Sequence, residues 1–121
     1  MVGTKRMNYQ WHIYLANLDP IKGSEQAGKR PVIVISREEI NQLLPVVNVI
    51  PITSRKSEKR VIYPNEALLP SSVTSLKRDS IALCYQIRTL DKVRLEVDLG
   101  KLVNQEIRAN ILKALQFQLE M

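Results

Sequence analysis

A short polar segment carries the residue types that bind phosphate. Residues 23–31, GSEQAGKRP, hold two glycines, a hydroxyl, a carboxylate, an amide and two cations. Glycine permits positive φ and close approach of the backbone to a ligand. Arg30 opens a run of β-branched residues, so we expect its Cα to be rigidly held while its guanidinium, a planar fork that suits a phosphate, can project into a cleft. Thr53 ends a later apolar run, and we expect its hydroxyl to point at the same cleft. Residue types alone therefore indicate a phosphate-binding surface.

Other reaction chemistries lack their residues. His12 is the only histidine and Cys84 the only cysteine, which excludes an intrachain disulfide and a two-histidine ribonuclease mechanism. A tetrahedral zinc site is nearly excluded for the same reason. Neither a Walker P-loop nor a GxGxxG motif is present. A Ser-His-Asp or Cys-His system would have to use His12, which stands in an apolar strand context.

The charge balance favours a polyanionic partner. The 121 residues include 18 Lys and Arg against 12 Asp and Glu, a net charge of +6. Such an excess is typical of proteins that bind nucleic acid, an anionic surface or an acidic protein, although ordinary basic domains also show it. The apolar runs are far shorter than the ~20 residues of a membrane span. Because residues 1–12 lack the apolar stretch of a signal peptide, we expect a cytoplasmic protein with no membrane partner.

The elements that must position these residues are mostly short strands. Alternating or β-branched apolar residues predict strands at 12–18, 30–36, 46–52, 61–63, 80–90 and 94–99. Residues 37–44 indicate one or two helical turns capped by Ser36, and Pro51 indicates an edge or a bulge. Asn104 is typical of an N-cap, and apolar residues recurring every four positions from Ile107 to Leu119 predict an amphipathic helix.

The sum of these elements predicts a mainly β fold with α. No βαβ alternation is present, so a parallel doubly wound sheet is disfavoured. We expect a small, mostly antiparallel barrel or half-barrel of five to seven short strands with a C-terminal amphipathic helix. Segments 53–60 and 65–78 are assigned mostly to loops. No linker divides the chain, so residues 1–121 are expected to form one domain, with residues 1–11 as a flexible N-terminal tail.

Two long blocks resemble a known family. Residues 13–36, IYLANLDPIKGSEQAGKRPVIVIS, are similar to the N-terminal signature of MazF/PemK (Kid) toxins of type II toxin–antitoxin systems. Residues 79–95, DSIALCYQIRTLDKVRL, resemble the family's second block, and the strand ending at Thr53 lies between the two blocks. The resemblance implies an SH3-like barrel with a C-terminal helix, usually as a homodimer.

The resemblance also implies an activity. It implies a sequence-specific, ribosome-independent endoribonuclease that needs neither a metal nor a cofactor. Such an enzyme cuts single-stranded RNA and leaves 2′,3′-cyclic phosphate and 5′-OH ends. The implied protein partner is an acidic antitoxin whose extended C-terminal segment lies across the RNA groove.

Individual residues match the family's functional positions. Arg30 matches its catalytic arginine, Thr53 matches its catalytic threonine, and Glu25 in the GSEQ loop is our candidate general base. The expected RNA-binding residues are Ser24, Gln26, Lys29, Ser54, Arg55, Lys56 and Gln86.

The sequence also departs from the family pattern. Trp11-His12 stands where relatives usually have Gly-Asp, Tyr85 where some have a catalytic aspartate, and Lys29 where others have a histidine. The general acid therefore has no assigned residue. Two other functions stay open: a CcdB-like toxin that binds gyrase without catalysis, and a non-catalytic nucleic-acid-binding barrel.

Two sets of surface residues each have two interpretations. The Lys/Arg-rich segment 55–60 either follows the RNA backbone or forms a solvated hairpin tip. Trp11, Tyr14 and Tyr85 either stack on bases or pack in the core or an interface.

Overall fold

Seven short strands and two α-helices make up the described part of a computed structural model, which covers residues 7–19, 23 and 28–121. The strands are β1 (His12–Asn17), β2 (Lys29–Val34), β3 (Val46–Ser54), β4 (Ala67–Leu69), β5 (Ser80–Ala82), β6 (Arg88–Asp91) and β7 (Leu95–Lys101). The helices are α1 (Glu38–Leu43) and α2 (Gln105–Leu119), and 3₁₀ turns lie at Ser71–Val73, Cys84–Gln86 and Lys92–Arg94. None of the described helices combines the length and apolar character needed to cross a bilayer.

The strands form an antiparallel sheet in the order β4-β5-β3-β2-β1-β7, with β6 as a further partner of β3. Residues 46–49 of β3 pair with β6, and residues 52–54 pair with β5. Pro51 lies where the partner changes, and its carbonyl accepts the Leu83 N–H at 2.9 Å. A backbone N–H at residue 51 would point to this same side, away from β2. The proline therefore removes no hydrogen bond from the β2–β3 ladder. The predicted edge position of Pro51 is therefore wrong, because β3 is an interior strand.

Two predicted strands differ from the structure. The predicted strand 80–90 is β5 and β6 separated by a 3₁₀ turn, so Leu83 is buried while Tyr85 is 42% exposed. The predicted strand 61–63 is not assigned as a strand, and Val61 and Tyr63 are exposed, so their β-propensity gains nothing from burial. In its place β4, within a segment predicted as loop, pairs with β5.

The C-terminal helix begins where predicted. The Asn104 side-chain oxygen accepts the Ile107 N–H at 3.0 Å and so satisfies a first-turn donor. Ile111 and Leu115 are buried against the sheet, whereas Leu119 is 50% exposed, so the buried stripe ends before the last turn.

The first helix begins differently from the prediction. Its N-cap is Arg37, which makes no side-chain cap bond. Ser36 does not cap the helix; its hydroxyl donates to the Asn41 side chain and accepts the Asn48 N–H at 3.0 Å. Ser36 therefore ties α1 to β3.

The sheet buries residues on both faces. One cluster, covered by α2, includes Ile13, Ile33, Ile50, Ile52 and Ile111. The other cluster includes Tyr14, Val32, Val34, Val47 and Val49. Alternate residues of β2 enter the two clusters, which explains its uninterrupted apolar sequence. Even-numbered residues of β2 and odd-numbered residues of β3 therefore share the second face.

The sheet is open rather than closed by hydrogen bonds. No ladder between β4 and β7 is found in residues 28–121. The loop after β4 crosses this gap, where the Ser75 hydroxyl donates to the Leu99 carbonyl on β7. Leu76 of the same loop packs against the first cluster. The predicted class, a small and mostly antiparallel β structure with a C-terminal helix, is confirmed, with an open seam.

The segment ahead of β1 is part of the fold. Tyr9 is buried. The backbone N–H groups of Tyr9 and Gln10 donate to the Glu38 carboxylate at 3.1 and 2.8 Å. The prediction of a flexible tail over residues 1–11 is therefore wrong at its C-terminal end, and residues 1–6 lie outside the described residues.

Candidate active site

Arg30 and Thr53 meet at one end of the sheet. Val32 on β2 lies opposite Pro51 on β3, and Arg30 and Thr53 each lie two residues beyond this pair, where both line one cleft. Since residues two apart on a strand share a face, both side chains extend the face of the second cluster beyond its last apolar residue.

The strand on the other side of Arg30 leaves space for its guanidinium. Ala16 on β1 lies opposite Arg30 and is fully buried, and its methyl side chain occupies little volume. β2 is paired with β1 on one side and β3 on the other. The backbone of Arg30 is thus held in the sheet while its side chain is exposed.

A cleft of about 250 Å³ opens beside this pair. The residues that line it are Arg30, Pro31, Ile52, Thr53, Ser54, Leu76, Lys77, Arg78 and Ser80. Three of these side chains are cations and three carry hydroxyl groups, and none of the described lining residues is Asp, Glu or His. Such a lining suits a phosphate group.

Lys77 and Arg78 are site residues that sequence reasoning missed. They end the loop before β5, and β5 runs antiparallel to β3 with Ile81 opposite Thr53. The start of β5 therefore lies beside the end of β3. In the sequence, the signal is a Lys-Arg pair just ahead of a strand. This signal indicates a site only when the strand order shows that β5 lies next to β3.

The predicted RNA-binding residues Lys29, Ser54 and Lys56 have different surroundings. Ser54 lines the cleft with Thr53. Lys29 is outside the described lining and forms an exposed ion pair with Glu96, Nζ to Oε1 3.1 Å. Lys56 is exposed and is also outside that lining.

Arg55 is used inside the protein. Its Nη2 donates to the carbonyls of Glu58 and Arg60 at 2.8 and 2.9 Å. The segment 55–60 is thus folded around the Arg55 guanidinium, with Lys56 exposed at its surface. These bonds use the Nη2 donors, and Arg55 stays a predicted RNA contact.

Three predicted residues, Ser24, Glu25 and Gln26, lie outside the described residues. At the ends of their segment, the Leu18 N–H donates to the Gly28 carbonyl at 2.9 Å and the Gly28 N–H donates to the Asp19 carboxylate at 3.0 Å. The chain therefore leaves the sheet near Asp19 and re-enters it at Gly28, two residues before Arg30.

The aromatic candidates separate by burial. Tyr14 is a core residue whose hydroxyl donates to the Asn8 carbonyl at 2.8 Å. Trp11 is half-buried, with the Arg108 guanidinium 5.1 Å from its ring centroid. Tyr85 is exposed and is available to a ligand.

A second cleft, of about 440 Å³, lies beside α2. Its lining residues are Arg60, Tyr63, Pro64, Asn65, Glu66, Tyr85 and Phe117. The buried Glu66 carboxylate accepts two bonds from Arg60, at 2.7 and 2.8 Å, and the Tyr63 N–H at 3.1 Å. The Arg60 hydrogen bonds and this N–H hold the pKa of Glu66 below its usual range.

Gln86, at the end of the neighbouring 3₁₀ turn, is not among the described residues that line either cleft.

No group of three or more His, Cys, Asp or Glu side chains in the described ranges is placed to hold a metal ion.

We expect Glu66→Gln to lower the free energy of unfolding by about 1–3 kcal/mol near neutral pH, because it removes the charge that Arg60 binds. Since the folded-state pKa of Glu66 lies below the unfolded value, its contribution is present above the unfolded pKa and is lost as pH falls through the folded pKa. The difference between wild type and variant should therefore shrink below about pH 4. Denaturant unfolding at neutral and acidic pH measures this.

The matched control is Glu58→Gln, which changes an exposed carboxylate in the same loop. An equal wild-type-to-variant difference for Glu66→Gln at both pH values would contradict the prediction.

Similar proteins are found by sequence and by structure. Residues 9–119 match the family model of the PemK-like, MazF-like toxin of type II toxin–antitoxin system. Endoribonuclease MazF of Staphylococcus saprophyticus is 40% identical over 96 residues, which cover 79% of this chain and 78% of the relative. MazF (Form-I) from Deinococcus radiodurans has a TM-score of 0.78 at 26% identity, covering 97% of this chain and 100% of that chain. A mycobacterial endoribonuclease in complex with its cognate antitoxin has a TM-score of 0.73 at 22% identity, covering 95% of this chain and 97% of that chain.

Proposed function

The chain belongs to the family of PemK-like, MazF-like toxins of type II toxin–antitoxin systems, and from this premise we propose that it is an endoribonuclease that cleaves single-stranded RNA. The observation that carries the proposal is that Arg30 and Thr53 line one cleft together with two further cations. The relative named Endoribonuclease MazF and the net charge of +6 support it. The proposal includes recognition of a short RNA sequence, independence of the ribosome, and action in the cytoplasm.

In the proposed reaction, the ribose 2′-OH attacks the adjacent phosphorus. The O2′–P bond forms and the P–O5′ bond breaks, which leaves a 2′,3′-cyclic phosphate and a 5′-OH. The 2′-OH loses its proton and O5′ gains one. Negative charge grows on the non-bridging oxygens during the attack, and donors aimed at that charge lower the barrier. The proposed reaction uses neither a metal ion nor an organic cofactor.

Arg30 and Thr53 are assigned to this charge. The Arg30 guanidinium donates to the non-bridging oxygens, and the Thr53 hydroxyl donates a further hydrogen bond. Both backbones are held in the sheet, so these donors require little reorganisation when charge develops. Ser54, which lines the same cleft, is assigned to RNA binding.

Proton transfer needs a different residue. Arginine keeps its proton up to a pH of about 12 and is a poor base. The described lining offers no carboxylate or imidazole. We assign Glu25 as the base that takes the 2′-OH proton, because its segment re-enters the sheet just before Arg30. The other predicted RNA contacts remain Ser24, Gln26, Lys29, Arg55, Lys56 and Gln86.

The proposed protein partners are an acidic antitoxin and a second copy of the chain. The structure of a mycobacterial endoribonuclease with its cognate antitoxin supports the first, because that protein shares this fold. The basic charge of the chain suits an acidic partner that covers the RNA cleft.

We expect the purified protein to cut a long single-stranded RNA at a recurring short sequence in the presence of EDTA. Arg30→Ala should lower the cleavage rate at least ~10²-fold, the scale of losing one charge-stabilising donor. Primer extension maps the cuts, and Arg37→Ala, which removes an exposed arginine on α1, is the control.

Near-native cleavage by folded Arg30→Ala would contradict the assignment of Arg30. A folded wild type that binds RNA without cutting it would indicate the non-catalytic barrel. Inhibition of gyrase supercoiling by a protein without RNA cleavage would indicate the CcdB-like toxin.

We expect Glu25→Gln to lower kcat by roughly 10²-fold and to remove the acidic limb of the pH profile of kcat/KM. The reason is that an amide cannot accept the 2′-OH proton, whereas the carboxylate accepts it above its pKa. Glu39→Gln, which changes an exposed carboxylate on α1, is the matched control. An acidic limb that persists unchanged in Glu25→Gln would assign the base to another group.

We expect sedimentation at micromolar concentration to show a species of twice the 13.9 kDa chain mass. The exposed apolar side chains Leu112, Phe117 and Leu119 on α2 would lose solvent contact in an interface between copies. A single species of 13.9 kDa would contradict the homodimer.

A further inference from the structure

Two cations that the proposed reaction does not use line the same cleft. Lys77 and Arg78 are exposed and share its lining with Arg30 and Thr53. We propose that Lys77 and Arg78 form a second phosphate subsite, which binds a phosphodiester next to the scissile one. The proposal rests on the proposed function, because it takes RNA as the ligand.

The strand order puts this pair on the wall opposite Arg30. Arg30 lies on β2, Thr53 on the neighbouring strand β3, and Lys77 and Arg78 just ahead of β5, which is the next strand. Adjacent strands are about 4.8 Å apart, so the two walls are separated by roughly 10 Å. A polynucleotide lying in the cleft therefore meets Arg30 on one side and the Lys-Arg pair on the other.

The Lys77 and Arg78 side chains form no ion pair with their neighbours in the described chain. The adjacent Asp79 carboxylate accepts the Ser71 N–H at 2.9 Å, and its bonds to Ser71 hold the pKa of Asp79 below its usual range. Within the described chain, neither the Lys77 ammonium nor the Arg78 guanidinium has a hydrogen bond or ion pair. Their donors are thus available to an anionic ligand.

Other cations form ion pairs or hydrogen bonds within the described chain, whereas the side chains of Lys77 and Arg78 do not. Lys29 pairs with Glu96, the Arg55 guanidinium donates to loop carbonyls, and Arg60 pairs with Glu66. The three engaged side chains stabilise the fold around the cleft. Lys77 and Arg78 add positive potential inside it.

The backbone of the pair is fixed although its side chains are exposed. The buried Ser80 donates its hydroxyl proton to the Arg78 carbonyl at 3.0 Å, and the Arg55 N–H donates to the Asp79 carbonyl at 2.9 Å. The subsite is therefore held at a defined position relative to Thr53, as a binding site requires.

The first experiment compares steady-state kinetics of Lys77→Ala and Arg78→Ala with wild type on an RNA that contains the mapped cleavage sequence. We expect each variant to raise KM by roughly 5- to 10-fold, while kcat falls far less than in Arg30→Ala. Between about 50 and 200 mM salt, the slope of log K against log salt should decrease by about 0.7 per lost contact. Lys101→Ala, at the end of β7 opposite His12, is the matched control and should change neither quantity.

The second experiment locates the phosphate. A short RNA with a 2′-deoxy group at the cleaved nucleotide binds without reacting, because it lacks the attacking hydroxyl. A neutral methylphosphonate linkage next to the scissile one should weaken binding to wild type. The same linkage should have little further effect in the Lys77→Ala/Arg78→Ala double variant, because the two changes remove one interaction.

The outcomes separate this inference from the proposed function. If folded Lys77→Ala and Arg78→Ala match wild type in KM and salt slope while RNA is still cleaved, the subsite is wrong and the nuclease stands. A loss of kcat at unchanged KM would also overturn the subsite. A folded wild type that neither binds nor cleaves RNA would overturn both. Thermal unfolding of each variant establishes that it is folded.

Discussion

The pairing of β3 with three other strands is the constraint on which the rest of the structure depends. β2 pairs along one side of β3, while β6 and β5 share the other side in succession. The ladder with β2 brings Thr53 to the same end of the sheet as Arg30, and the short ladder with β5 brings Lys77 and Arg78 there as well. A slip of one residue would turn Thr53 to the opposite face. The apolar residues of β3 prevent that slip, because alternate residues are buried in two different clusters.

Whether a cationic side chain is available to a ligand depends on the groups next to it and not on its charge alone. The sequence places Arg55, Lys56, Lys59 and Arg60 in one basic segment, yet two of the four side chains form hydrogen bonds within the described chain. Arg55 binds carbonyl groups of its own loop, and Arg60 closes on the buried Glu66. Because Glu66 neutralises Arg60, this loop offers a ligand less positive charge than its sequence indicates. Lys77 and Arg78, by contrast, form no ion pair within the described chain.

The parts of the fold that local chemistry determines could be predicted from the sequence. α2 is one of them, because Asn104 caps it and its apolar stripe is continuous; β1 and β2 are others. The break between β5 and β6 could not be predicted, since the alternation of apolar residues continues through the 3₁₀ turn at Cys84–Gln86. At the candidate site, Arg30 and Thr53 could be predicted because Arg30 opens one apolar run, Thr53 ends another, and the family resemblance implies their roles. Lys77 and Arg78 were missed because their position depends on which strand lies next to β3.

The seam between β4 and β7 gives the cleft one compliant wall. Across it the Ser75 hydroxyl bonds to Leu99, and Leu76 packs nearby, where a closed barrel would have a ladder. Separating the seam breaks a side-chain hydrogen bond rather than a row of backbone bonds, so local opening there has a low free-energy cost. The loop that spans the seam also carries Lys77 and Arg78. Opening of this loop would move the side of the cleft that carries Lys77 and Arg78, while the hydrogen-bonded backbone of β2 and β3 stays in place.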